Sequence, residues 1–447
     1  MNPVISQKDV GRPSGRHVGL KADLQLALIA IGLVFATSSR AAEFREYPDL
    51  PPQAVVQQAL QSYPSVLAAQ SGIKAGEAAR ERLESGPHEI NIVAGAGRRR
   101  VDTGERFQEW DLGLERALRL PRKASLDVAL GQQGLVLSQN AYGDAMHEAG
   151  RSLLSKWFAV MRERTQSEQW QQQVSVLKQQ LDVVARRVKA GDASRLEEDM
   201  ARAALMQAEI SLRQASLRAD NASMELSRYF PALGLPSATT GPTPGAAENP
   251  LPLTQNVAWW LDLGLDHNHE LMLARAESKI AQLTAQRMDA DRMPDPTLGL
   301  NYNSERNGSE NVTSVVFSIP LPGGARRAAS AESQAHAEMA AQREALVLRR
   351  IEAEISSTFN NARASYANWQ SAAEASELIQ RNEEKMARAY TLGEMGLNEV
   401  LVARRQGMEA RLAATLARFE AAETRYRLLL DTHQLWPLGN EAEEGHH

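Results

Sequence analysis

The chain has 447 residues, no cysteine, few aromatic residues (5%) and a formal net charge of −5 with acids and bases interspersed. Disulfides, cysteine-based metal sites, cysteine nucleophiles and an acylated lipoprotein cysteine are therefore excluded. With no long basic block, nucleic acid is not an expected partner, and the abundance of Ala, Leu, Glu, Arg and Gln is that of long helices or coiled coils.

The N-terminus carries Lys8, Arg12, Arg16 and Lys21, then an apolar run over 24–35, then Ser39-Arg40-Ala41-Ala42. This is the order of a secretory signal, expected over 1–41. The apolar run is about 12 residues, short of the ~20 that a spanning helix needs; a signal anchor is the other reading. No later stretch reads as a spanning helix, so the mature chain is expected to be periplasmic, secreted or an outer-membrane β-structure.

Pro51-Pro52 opens a short helix reaching Tyr63, and Pro64 starts a second that Gly86-Pro87 stops. Near 89–99, Ile90, Ile92, Ala94 and Ala96 alternate with Asn91, Val93, Gly95 and Gly97; near 107–118, Trp110, Leu112 and Leu114 alternate with Glu109, Asp111, Gly113 and Glu115. A period of two this clean predicts strands with one apolar and one wet face, joined at Asp102-Thr103-Gly104-Glu105. A proline-free helix follows from Pro121 to Lys189; at 1.5 Å per residue it runs roughly 100 Å. After Gly191 a further helix reaches Tyr229, and a Pro/Gly-rich linker is expected over 231–252.

The plan then repeats. Short helices are predicted near 253–265 and 269–293, strands near 297–303 and 314–319 around Asn307-Gly308, and long helices over 325–391 and from 393 to about 432. Val188-Lys189-Ala190-Gly191-Asp192 is echoed by Tyr390-Thr391-Leu392-Gly393-Glu394, and Leu120-Pro121 by Leu321-Pro322. A period of about 200 residues exceeds that of a solenoid and marks duplicated halves, 42–230 and 253–432, with a tail over 433–447. Within each half the two shorter helices sum to nearly the length of the long one, so they can stack end to end beside it.

Strands of about ten residues match those that cross a bilayer tilted. Four cannot close a barrel, open edges are not tolerated in lipid, and known membrane barrels begin at about eight strands. The expected fold is therefore mainly α with a membrane β-barrel portion: long antiparallel coiled-coil helices, four strands per chain, and a trimeric twelve-stranded β-barrel on a helical barrel. The competing picture is a soluble coiled-coil rod bearing two exposed hairpins.

Several segments carry a resemblance: Gly86-Pro87-His88-Glu89, Phe107-Gln108-Glu109-Trp110 with Leu114-Glu115-Arg116, Leu120-Pro121-Arg122-Lys123, and Val188 to Ala193. With the duplicated layout, they make the chain resemble TolC-like outer-membrane efflux proteins, and look like the heavy-metal (CzcC-like) branch. The resemblance implies a homotrimeric exit duct in outer-membrane lipid, its helical part in the periplasm. It implies a periplasmic adaptor (membrane fusion protein) and an inner-membrane pump of the RND type as partners, with divalent heavy-metal cations as cargo and no cofactor. It also implies adaptor docking at Ala190, Gly191 and Asp192 and at Leu392, Gly393 and Glu394. An acidic periplasmic gate falls on Glu399, where the family's next acidic position is Val402 here, with Glu197 and Glu198 as first-half equivalents. The same duct serving drug efflux or type I protein secretion remains open, as does a non-pore periplasmic scaffold or adaptor. A solvated helix face is the alternative for Glu399.

Other features point less far. His267-Asn268-His269 has i,i+2 spacing, which faces apart on a helix, and His446-His447 ends the chain. Met206 and Met408 match across the repeat and read as seam packing; Trp259-Trp260 reads as a packing element. Arg98-Arg99-Arg100 near the first hairpin turn reads either as a phosphate-binding edge or as solvated loop. No nucleophile elbow, P-loop, zinc-protease motif or dinucleotide fingerprint is present, so no enzyme is expected.

Overall fold

A computed structural model describes residues 47–233, 249–436 and 438. The expected signal, most of the linker and His446-His447 lie outside the described residues. The first half comprises α1 (Gln53–Gln61), α2 (Pro64–Ser85), β1 (Asn91–Arg100), β2 (Arg106–Ala117), α3 (Pro121–Ala190) and α4 (Arg195–Tyr229). The second repeats the order as α5 (Val257–Asp266), α6 (His269–Ala290), β3 (Thr297–Glu305), β4 (Glu310–Ser318), α7 (Gly324–Thr391) and α8 (Leu397–Asp431).

Local chemistry sets these boundaries. Pro64 and Pro121 stand in the first turns of α2 and α3, where a missing N–H is harmless. Ser194, Asn256 and Asn268 cap α4, α5 and α6, each accepting from the backbone N–H three residues on. At the end of α2 the Arg119 guanidinium donates to the carbonyls of Leu83 (2.7 Å) and Glu84 (2.8 Å), groups the helix leaves without partners. β1 starts at Asn91, so Ile90 lies just before the strand.

The 22-residue α2 and 35-residue α4 lie along the 70-residue α3; α6 and α8, again 22 and 35 residues, lie along the 68-residue α7. In the first half the two short helices meet where Tyr63 stacks on Phe230, ring centroids 5.0 Å apart. In the second half they meet where His269 abuts His433, also at 5.0 Å. One large core encloses both joints. It takes Leu153, Trp157 and Phe158 from the middle of α3, Ile351, Ile355 and Phe359 from the middle of α7, and the ends of α4 and α8. Leu435, Trp436 and Leu438, beyond α8, are buried in the same core. A side chain of this size contributes about 1.5–3 kcal/mol on full burial, so this segment is anchored. Trp157 Nε1 donates to the Asp49 carbonyl (2.9 Å) and Tyr426 Oη to its carboxylate (2.5 Å), tying the start of the described chain to α3 and α8.

Two sequence readings come out differently. Trp260 is buried while Trp259 is exposed, so only the second tryptophan packs inward. Met408 is buried but its repeat partner Met206 is exposed. His269, as its i,i+2 spacing from His267 leads one to expect, finds another partner: its ring meets His433, which in turn meets His147. Among the described residues no group of His, Cys, Asp or Glu is arranged to hold a metal ion, and no helix is long and apolar enough to cross a membrane.

Candidate functional site

The strands form one antiparallel sheet in the order β1-β2-β3-β4, with β2 and β3 joining the two halves. The register brings Ile92 opposite Leu114, Ala94 opposite Leu112, Leu112 opposite Tyr302, Leu114 opposite Leu300, and Leu298 opposite Phe317. Paired residues share a face, so this side is apolar from strand to strand in its middle rows. It is also open: Ile92 and Val315 are each 71% exposed and Phe317 65%. An apolar face of this kind left bare in water is an association or membrane site.

The opposite face is polar and is built around glycines. Gly95 faces Asp111, Gly113 faces Asn301, and Gly299 faces Glu115. A Cβ at Gly95 would sit 2.3 Å from the Asp111 carboxylate, and one at Gly113 would sit 2.4 Å from the Asn301 side chain. Each glycine therefore leaves room for the acid or amide lying across it. Arg99, on this face, pairs with Glu109 (3.0 Å) and Glu305 (2.9 Å). The outer edges of β1 and β4 have no strand beside them among the described residues.

A buried ionic cluster fixes the sheet to the helices. Lys123, 1% exposed, sits between Asp291 (2.8 Å) and Asp295 (2.9 Å). Asp127 receives Arg119 (3.0 Å) and Arg287 (2.6 Å), and Asp295 also meets His88 (2.9 Å) and the Leu120 N–H (3.2 Å). Although burial opposes the charged form, the hydrogen bonds from Arg287 and Lys123 hold the Asp291 carboxyl below its ordinary range. Those from His88 and Lys123 do the same for Asp295. The cluster joins the two halves at the strand–helix boundary. Sequence reasoning missed it because Lys and Asp read as surface residues by type. Its only local hint is Pro294-Asp295-Pro296, which stops α6 ahead of β3.

The far ends of the long helices carry the paired turns. After α3, Gly191 takes φ +81°, with Gly191 N–H bonded to Val188 O (3.1 Å) and Asp192 N–H to Arg187 O (2.8 Å). After α7, Gly393 takes φ +79°, with its N–H on Tyr390 O (3.1 Å) and Glu394 N–H on Ala389 O (3.0 Å). This is the left-handed helix stop that glycine permits without a Cβ clash. The predicted docking residues Ala190, Gly191, Asp192, Leu392, Gly393 and Glu394 are all exposed there. The two turns are linked. Arg187 Nη1 donates to the Tyr390 hydroxyl (2.8 Å) while its other nitrogen donates to the Asp192 carbonyl (3.2 Å). Val184, Ala201, Tyr390, Leu397 and Val400 pack as a small core behind them.

Glu197 and Glu399 occupy equivalent positions, three residues past the caps Ser194 and Gly396. Glu197 is half-buried, and Ser194 Oγ accepts its N–H (3.2 Å). Glu198 pairs with Arg202 (3.0 Å). Glu399 is exposed, and its carboxylate folds back over Gly396 to 2.7 Å from where a Cβ would stand. All three acids lie in first helical turns, where the helix dipole favours negative charge. Val402 is partly exposed on the same helix.

No protein-family model and no curated protein matches the sequence. Solved structures do match. CusC, whose crystal structures concern conformational changes accompanying folding and transmembrane channel formation, superposes with a TM-score of 0.74 at 12% identity, over 88% of this chain and 95% of that one. The CmeC outer membrane channel of Campylobacter jejuni gives 0.71 at 14% identity, over 88% and 89%. The outer membrane protein VceC of Vibrio cholerae gives 0.69 at 16% identity, over 86% and 99%. At these identities the likeness is one of fold: four strands and paired long helices are arranged here as they are in outer membrane channel proteins.

Proposed function

We propose that the chain is one subunit of a homotrimeric exit duct in the outer membrane. It would work with a periplasmic adaptor and an inner-membrane pump of the RND type to export divalent heavy-metal cations. The observation that carries this reading is the sheet: one face apolar and exposed, the other polar and glycine-spaced, and both edges without a neighbouring strand among the described residues. Lipid on one side, water on the other and two neighbouring copies at the edges meet all three conditions, giving twelve strands from three chains. A second support is the row Leu196, Ile210, Leu217 and Met224, exposed on α4 at multiples of seven residues. This is a helical seam that a neighbouring copy would cover. The cargo assignment rests on the sequence resemblance alone. The halves 42–230 and 253–432 would be the repeated structural units, and 1–41 the export signal.

Mature protein in a gentle detergent should have the mass of three copies and should conduct ions in planar bilayers; a stable monomer that does not conduct removes the duct. In this reading the turns at Gly191 and Gly393 meet the adaptor, and Glu399, with Glu197 and Glu198 as competitors, rings the periplasmic opening. Three symmetry-related carboxylates on one axis attract cations. Glu399→Gln should therefore lower cation selectivity, and Glu399→Lys should lower it further. A change confined to Glu197 or Glu198 variants moves the ring to the first half; no change in any of them leaves these acids as helix-cap residues.

A further inference from the structure

The β1–β2 hairpin ends the sheet on the side away from the long helices. Beyond the apolar rows the same face changes character. Trp110 pairs with Ala96, then Arg98 pairs with Gln108 and Arg100 with Arg106. The pleat therefore puts Arg98, Arg100 and Arg106 on the apolar face, whereas Arg99 turns to the polar face and its two glutamates. All three are exposed, and among the described residues none of them makes an ion pair. Residues directly opposite on an antiparallel pair have Cβ atoms about 4.5–5.5 Å apart, and like charges there repel. Arg100 and Arg106 are such a pair, and Arg98 lies diagonal to Arg106. The second hairpin does not share this imbalance, because its Arg306 meets Glu310 at 3.0 Å.

Height along the sheet indicates what neutralises the three arginines. Trp110 and Tyr302 lie 5.5 Å apart at the top of the apolar rows. Tryptophan and tyrosine on a lipid-facing strand sit at the membrane–water interface. At about 3.3 Å per residue, Arg98 lies roughly 7 Å beyond the Trp110 row, within a headgroup layer about 5–8 Å thick on each side of the hydrocarbon. Guanidinium groups bind phosphate oxygens through two parallel N–H donors. We propose that Arg98, Arg100 and Arg106 form a binding site for phosphate monoesters on a lipid headgroup of the outer leaflet, a site that rests on the outer-membrane reading above.

The test uses full-length protein in mild detergent, titrated with bisphosphorylated lipid A and followed by native mass spectrometry. Wild-type protein should retain this lipid at least tenfold better than its dephosphorylated form. The combined R98Q/R100Q/R106Q variant should lose that preference, while R343Q, an exposed arginine on α7, should keep it. If the triple glutamine variant does not fold, R98K/R100K/R106K retains charge but not the paired donors and should bind several-fold more weakly than wild type. Equal retention by a folded triple variant and wild type overturns the site, and so does displacement of the lipid by low-millimolar inorganic phosphate. Trimer mass and bilayer conductance are read on the same samples. A conducting trimer whose lipid binding ignores the arginines refutes this site alone, whereas a wild-type monomer that does not conduct refutes the duct.

Discussion

Each half interrupts one of its two helical columns once, and the two interruptions are closed by different chemistry. Between α2 and α4 the seal is aromatic: Tyr63 lies flat on Phe230, with 17° between the rings. Between α6 and α8 it is imidazole: His433 meets His269 edge-on at 5.0 Å and His147 of α3 at 5.3 Å. The duplicated backbone thus asks only for a buried planar group at this point. The choice of ring matters electrostatically, because the histidine joint buries groups that acid would charge. Burial pushes both His147 and His433 down to about 3, reinforced by Arg151 and Arg427 around His147 and by neighbouring rings, His267 included, around His433. Burial lowers His269 as well, against the pull of Asp144. His147 Nε2–H donates to Leu430 O (3.1 Å), with the Asp431 carboxylate 3.9 Å away.

The largest expected effect that separates the joints is acid. An imidazole with an ordinary pKa near 6.5 binds protons in the unfolded chain that these rings refuse in the folded one. Stability from the histidine joint is therefore complete above pH 6.5 and is lost as pH falls toward 3. Amide exchange between pH 7.5 and 4 should show α6 and the end of α8 opening before the Tyr63–Phe230 joint. His433 also stands at φ +57°, with the i−3 and i−5 hydrogen bonds found at the glycine turns. His433→Asn tolerates that backbone and removes a titrating ring, so its stability should depend less steeply on pH. Equal opening of both joints at pH 4 would erase the distinction.

A smaller effect should treat the halves alike. Nothing lies within 4 Å of a Cβ built at Gly191 or Gly393, so valine there meets only backbone strain. Gly191→Val and Gly393→Val should each lose about 1–2 kcal/mol of local stability, a β-branched side chain being poorly tolerated at positive φ. Faster exchange of the Asp192 and Glu394 amides would record it. A large difference between the two variants would mean that the turns are not equivalent. The smallest effect separates them again. Ser194→Ala removes the side-chain cap of α4 and should cost about 1 kcal/mol. Gly396→Ser can supply the cap that α8 lacks and should gain a few tenths of a kcal/mol, provided the Glu399 carboxylate swings aside.

Punctuation was legible and surroundings were not. Pro121 and Gly191 bound α3 in the sequence as they do in the structure, because proline and glycine act through their own backbone. Strand alternation likewise foretold the two faces of the sheet. The repeat matched Met206 with Met408 by position, yet one is exposed and the other buried, since facing depends on which helix lies alongside. Lys123 with Asp295, Arg187 with Tyr390 and His147 with His433 are pairs far apart along the chain, brought together only by the packing of one half on the other. For the turns and acids the sequence pointed to their place in the chain. It did not reveal the Arg187–Tyr390 bond or the return of Glu399 over Gly396.

The position of the core has a mechanical consequence. Its contacts on α3 run from Met146 to Met161 and on α7 from Ile351 to Phe359, the midpoints of both long helices. From this core each helix runs about 50 Å to its turn, braced on the way by the smaller clusters around Leu177 and Val184. By that geometry a tilt of about 5° about the core would carry Gly191 or Gly393 through about 4–5 Å, and the smaller clusters are what oppose it. Leu435, Trp436 and Leu438, beyond the end of α8, pack into the same centre.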